Sequence, residues 1–158
     1  MSTQGTYPPW NNLSLSENKN FSIAHNGLLD LLKQNNFYLT QFFYKDANYK
    51  KIIEELQWRH YIVYNSVLHA INFSKSDKIN IVECGVCDGL TAYFAMKACQ
   101  YKNVLFKAYL YDAWAELKSK DEELRFKYAY LNLETTKLNL QQFSQDVVYN
   151  KGFIPEVF

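Results

Sequence analysis

The densest group of chemically useful residues is Glu83-Cys84-Gly85-Val86-Cys87-Asp88-Gly89, which holds two of the five glycines and two of the three cysteines of the chain. Glycine lets backbone approach a ligand closely, and the start of a helix turns N–H groups toward an anion. A turn of this composition between a strand and a helix therefore suits a carboxylate or a phosphate. Glu83 can accept from a cationic or hydroxyl group, and Asp112, at the end of the next apolar run, is placed for a ribose diol. The same residues also suit a plainer arrangement in which the glycines make a tight turn and the acids cap helices. Spacing leaves both open.

A redox reading competes, because Cys84-Gly85-Val86-Cys87 is a C-x-x-C sequence at a strand-to-helix junction, an arrangement that lowers thiol pKa in thioredoxin-like proteins. Against it, Cys84 belongs to the strand end, Glu83 disfavours a thiolate, and the pattern runs on into Asp88-Gly89-Leu90-Thr91. Small packed side chains are the remaining role for both cysteines. Zinc would need further ligands, but Cys99 falls mid-helix and His25, His60 and His69 lack ligand spacing, so no metal site is assigned.

Elements able to position this turn are legible around it. Ile79 to Val82 is a short β-branched run that predicts a buried strand, and Val104 to Tyr111 predicts a second, ending in Asp112. Between them Cys87, Leu90, Phe94 and Ala98 recur at helical spacing through Gln100. Ser119 is a candidate cap for a helix reaching Tyr130, Leu133 to Phe143 suits another helix, and Asp146 to Tyr149 a third strand. Upstream, Ile23, Leu28, Leu29, Leu31 and Leu32 suggest a short helix from Ser22, followed by the aromatic segment Phe37 to Tyr44. A longer helix is expected from Asp46 to Phe73, with Ile52, Leu56, Val63, Val67 and Ile71 on one stripe and Glu55 paired with Arg59. His60 and His69 lie on or beside that stripe, where packing is their ordinary role. Strands separated by helices call for a parallel α/β sheet with right-handed crossovers. Residues 1–20 read as a loose arm, 21–78 as a helical region and 79–158 as the sheet-forming part.

Composition limits the partners. With 17 basic against 16 acidic residues among 158, the net charge is +1, which offers no electrostatic footprint for nucleic acid or an anionic membrane. No window approaches the ~20 apolar residues of a spanning helix. The 13 tyrosines and 11 phenylalanines, without basic interleaving, are expected in the core or at an acceptor or subunit surface. The odd cysteine count and the absence of a signal sequence favour a cytoplasmic, reducing setting.

The stretch Ile81-Val82-Glu83-Cys84-Gly85-Val86-Cys87-Asp88-Gly89-Leu90-Thr91 resembles the first motif of class I S-adenosylmethionine-dependent methyltransferases, in the form used by the macrocin O-methyltransferase (TylF-like) family, which methylates sugar hydroxyls. Tyr111-Asp112-Ala113-Trp114-Ala115-Glu116-Leu117 resembles that family's segment after the second strand. Val147-Val148-Tyr149-Asn150-Lys151-Gly152-Phe153-Ile154 resembles its third strand and lysine-glycine-aromatic turn. The family's order is kept over Ile79 to Phe158. Cys87 stands where the family often has tryptophan, Leu90 where it often has a second glycine, and Glu116 where it usually has glycine.

The resemblance implies a Rossmann-like parallel sheet that binds S-adenosylmethionine. Gly85, Gly89 and Thr91 would line its methionine end, with Glu83 and Val86 in the same binding set; Asp112 would hold the ribose, Trp114 would lie near the adenine, and Lys151 and Gly152 would complete that side. It implies methyl transfer to the hydroxyl of a sugar or other small molecule. The family's sheet has seven strands, with its metal-binding acids and catalytic base beyond the third. A chain ending at Phe158 is thus expected to be an N-terminal portion or a truncated gene product, inactive alone, with no catalytic residue assigned and magnesium only in a full-length enzyme. A homo-oligomer or partner chain is expected to cover the exposed sheet edge. The alternative is a non-catalytic binding or interaction protein that keeps the half-sheet.

Overall fold

The computed structural model describes residues 18–40, 53–74, 76–115 and 130–155. Helix α1 (Lys19–Lys33) and helix α2 (Gln57–Ser74) precede β1 (Lys78–Cys84), α3 (Leu90–Lys102) and β2 (Leu105–Asp112). Helix α4 (Leu133–Asn139), a 3-10 turn (Gln141–Asp146) and β3 (Val147–Lys151) complete the described chain. The three strands form one parallel sheet in the order β1-β2-β3, with Lys78 beside Leu105 in one pair and Ala108 beside Val147 in the other. The class is α/β, and the predicted strands are found with ends shifted by one or two residues.

Local chemistry sets the boundaries. The Asn18 side chain accepts the N–H of Phe21 at 3.1 Å and starts α1 at Lys19, inside the stretch expected to be a loose arm. Asn132 does the same for Thr135 at 2.8 Å, starting α4. Asn103 ends α3 in a left-handed conformation, φ 54°, letting Val104 N–H return to Cys99 O at 3.1 Å. The helix expected over Leu133 to Phe143 stops at Asn139, and a 3-10 turn carries the chain into β3. The arm up to residue 17, the start of the long helix with Ile52, and the helix expected from Ser119 lie outside the described residues.

Helix α3 is the centre of the molecule. Ala92, Ala95 and Ala98 let neighbours approach, while Tyr93, Phe94 and Met96 fill the space, all of them buried. Phe106, Ala108 and Leu110 of β2 bury on its sheet side. On the other side α2 packs through the face of the expected stripe: His60 and Tyr64, one turn on from Leu56 and His60, are its buried centre, and Val67 and Ile71 pack against the core partly buried. The reason is aromatic packing. His60 stacks on Phe94 with ring centroids 4.5 Å apart, and Phe21 of α1 meets Phe94, Tyr61 and Tyr64 within 5.7 Å. His69, by contrast, is exposed. No helix among the described residues is long and apolar enough to cross a membrane.

Candidate functional site

The C-terminal ends of the three strands meet at the glycine turn. Gly85 N–H donates to Tyr111 O at 2.8 Å and Gly152 N–H to Asp112 O at 3.0 Å, so the chain leaving β1 and the chain leaving β3 are both held against β2. Gly85, Cys87 and Gly89 all have left-handed backbones, with φ of 81°, 52° and 88°. Glycine serves differently at its two positions. A Cβ on Gly89 would meet Leu140 at 3.0 Å, whereas one on Gly85 would meet nothing within 4 Å, leaving open space above the first half of the turn.

Asp112 is the organising side chain. Its Oδ2 accepts Cys87 N–H at 2.8 Å and its Oδ1 accepts Trp114 N–H at 3.1 Å. The residue expected to meet a ribose is thus already joined to the turn, though each carboxylate oxygen keeps a second lone pair. Trp114 is buried, and its indole N–H reaches both Thr136 Oγ1 at 2.9 Å and Cys87 O at 3.2 Å. Its ring meets Tyr149 edge-on at 6.0 Å, so it closes the β2–β3 side of the turn as a wall rather than a surface flap.

The remaining candidates occupy different surroundings. Val86 is buried in the core, which leaves its backbone to face the turn. Lys151 is exposed opposite Asp112 in the β2–β3 register, beside Gly152. Glu83 and Thr91 line a groove between β1, α2 and α3, away from Trp114. Burial pushes the Glu83 carboxyl up to about 8, with Arg59 pulling it down and Asp112 pushing it up.

Asp88, inside the glycine turn, and three residues that the sequence did not single out hold the turn from behind. The Asp88 carboxylate accepts Thr40 N–H at 2.9 Å and the Thr40 hydroxyl. Asn139 donates to Asp88 O and Tyr38 O, both at 2.8 Å, and accepts Tyr38 N–H at 2.6 Å. Thr136 donates to Cys87 O at 2.7 Å. Asn139 and Thr136 are buried polar groups with their hydrogen bonds made, and the carbonyls of Cys87, Asp88 and Tyr38 that they reach lie 49 to 101 residues away, beyond any short motif. Only Asp88, inside the glycine turn, carried a local signal.

The three cysteines are free thiols: Cys84 is exposed, Cys87 partly buried and Cys99 buried. Among the described residues no group of three or more histidine, cysteine or acidic side chains is placed to hold a metal ion. In sum the geometry offers a cleft edge with open space over Gly85, an acid at the neighbouring strand end, and a helix whose N-cap, Gly89, contributes no side-chain hydrogen bond. No family model, no curated protein and no solved structure matches this chain.

Proposed function

We propose that this chain is the S-adenosylmethionine-binding portion of a class I O-methyltransferase of the macrocin O-methyltransferase (TylF-like) kind, with a Rossmann-like sheet. The observation that carries the reading is the junction of Asp112 with the turn after β1: a parallel β1-β2 pair, a glycine turn entering α3, and an acid from the next strand end bonded to that turn. Ligands of open parallel sheets lie beyond the carboxyl ends of the strands, which is where these groups converge. The open space above Gly85 fits a ligand that must approach backbone.

In this reading Gly85, Gly89, Thr91 and the Val86 backbone bind the methionine end with Glu83, Asp112 accepts from the ribose hydroxyls with its remaining lone pairs, and Lys151 and Gly152 border the adenine beside Trp114. S-adenosylmethionine supplies an electrophilic methyl group to a small-molecule hydroxyl. The described residues bind and orient, and none is assigned as the base or as a magnesium ligand. The free thiols accord with a reducing, cytoplasmic setting. The test is calorimetric titration of the chain with S-adenosylmethionine and with its demethylated product, comparing the parent with Asp112→Asn. Saturable binding weakened about tenfold or more by the substitution supports the reading; no heat of binding to the folded parent rejects it.

A further inference from the structure

A cavity of about 370 Å³ opens between the helices, walled by Ala24 and Gly27 of α1, Tyr64 of α2, and Tyr93, Lys97 and Tyr101 of α3. None of the described strands lines it, and Lys97 and Tyr101 fall in the last turns of α3, remote from the glycine turn where that helix starts. Small residues make room for it. Gly27 sits inside α1, where glycine weakens a helix, and a Cβ there would stand 3.2 Å from the Tyr93 hydroxyl. That close approach lets Tyr93 donate to Ala24 O at 3.3 Å, which fixes its ring as a wall. A cavity of this volume lies toward the lower end of small-molecule sites.

The wall is aromatic, and it carries a cation with no acid to meet it. Lys97 is half-buried; its Nζ donates to Gln100 Oε1 at 3.1 Å and Gln142 Oε1 at 2.8 Å, and lies 5.6 Å from the Tyr93 ring centroid and 5.5 Å from that of Phe143. Amide oxygens and ring faces orient an ammonium without neutralising it, and two such oxygens leave one of its three N–H groups without an oxygen partner. Among the described residues no carboxylate pairs with Lys97, and none of those lining the cavity is acidic. Tyr64 adds a donor: it is 1% exposed, it lines the cavity, and its hydroxyl has no hydrogen-bond partner among the described residues. An unpaired buried hydroxyl and an uncompensated cation both call for a negatively charged acceptor, while the rings of Tyr64, Tyr93 and Tyr101 call for a flat apolar body. We propose that this cavity binds a small aromatic carboxylate, its ring among the three tyrosines and its carboxylate toward Lys97. None of these residues belongs to the S-adenosylmethionine set, so the site stands apart from the cofactor reading.

The probe is 2-naphthoate, titrated by calorimetry into the full chain in the absence of S-adenosylmethionine. Saturable binding at a single site is expected. The neutral isostere 2-naphthamide should bind at least about tenfold more weakly, and so should naphthoate to Lys97→Met, which keeps the stem and removes the charge. Tyr101→Ala, at a half-exposed position, removes one ring and should weaken naphthoate about threefold or more. Inorganic phosphate, an anion without an apolar body, should give no saturable binding. If Lys97→Met does not fold, naphthoate against naphthamide makes the same comparison on the parent chain. Absence of saturable naphthoate binding, equal affinity of naphthoate and naphthamide, phosphate binding as tight as that of naphthoate, or an affinity unchanged in folded Lys97→Met or Tyr101→Ala overturns the proposal.

Discussion

Asp112 Oδ2 accepts the backbone N–H of Cys87 at 2.8 Å, a bond across 25 residues that fastens the end of β2 to the turn after β1. Cys87 has a left-handed φ of 52°, unusual for a residue with a side chain, and this bond helps hold it there. The acid is therefore a structural tie and a candidate ligand acceptor at once. Asp112→Ala should lose two backbone partners and destabilise the chain by roughly 2–4 kcal/mol, because charged acceptors of N–H groups are worth about 1.5–3 kcal/mol each and do not add fully. Urea unfolding checks it; a change below about 0.5 kcal/mol would show that the tie is replaced by water.

Asn139 makes three hydrogen bonds to Tyr38 and Asp88 while almost fully buried. Asn139→Leu keeps the volume but strands those partners, at a cost of about 2–4 kcal/mol. Hydrogen exchange at Tyr38 N–H should accelerate together with the loss of stability. Unchanged protection there would show that the clamp is not made in solution.

The glycines of the turn should differ on substitution. Gly85→Ala meets only the left-handed backbone, about 1–2 kcal/mol, whereas Gly89→Ala meets the same strain and Leu140 at 3.0 Å, and should cost more. Paired denaturation curves decide it. An equal loss would mean that Leu140 moves aside freely.

His60 and Glu83 set opposite pH limbs. Burial, then Arg59 and His25, holds His60 down at about 3 from the ordinary 6.5, so the unfolded chain takes up a proton that the folded one refuses. Stability contributed by neutral His60 is fully present above 6.5 and falls toward 3 by up to about 1.4 kcal/mol per pH unit. Glu83 is raised from 4.5 to about 8, so its contribution is whole below 4.5 and falls as pH rises toward 8. The two slopes oppose each other between 4.5 and 6.5, so stability is greatest within or near that window, with His25, also lowered by burial, adding to the acid limb. Thermal melts from pH 4 to 8 should show it, with Glu83→Gln flattening the alkaline limb. An alkaline limb unchanged in Glu83→Gln would place the buried proton elsewhere.

Among the described residues, neither ring nitrogen of His60 has a hydrogen-bond partner. His60→Leu removes an unsatisfied buried polar group at the expense of its stack on Phe94, and should be neutral or stabilising while flattening the acid limb. A loss above about 2 kcal/mol in chemical denaturation would show that the stack outweighs the polar penalty.

Much of the architecture was local enough to be legible. β-branched runs such as Ile79 to Val82 and the Leu90, Phe94, Ala98 period encode their own elements, and strand-helix-strand alternation implies a parallel sheet. The turn holding Gly85 and Gly89 was also visible, because left-handed backbone selects glycine wherever it occurs. Along α2 sequence period identified the inward face, on which Val67 and Ile71 pack against the core, but not its most buried members. Aromatic contact with Phe94 and Phe21 made His60 and Tyr64 the centre of that face.

The supports of the site belong to the tertiary structure alone. Thr40, Thr136 and Asn139 are ordinary polar residues in sequence, and they matter because folding brings Thr136 and Asn139 from 49 to 101 residues away to backbone carbonyls that must find partners, and Thr40 to the Asp88 carboxylate 48 residues on. Trp114 and Glu83 show the same division. Their types and spacing marked them as site residues, but only packing placed the indole in a wall of the turn and the carboxyl in the groove beside β1. A side chain's chemistry is set by its covalent structure; its solvent, partners and charge state are set by what the rest of the chain leaves around it.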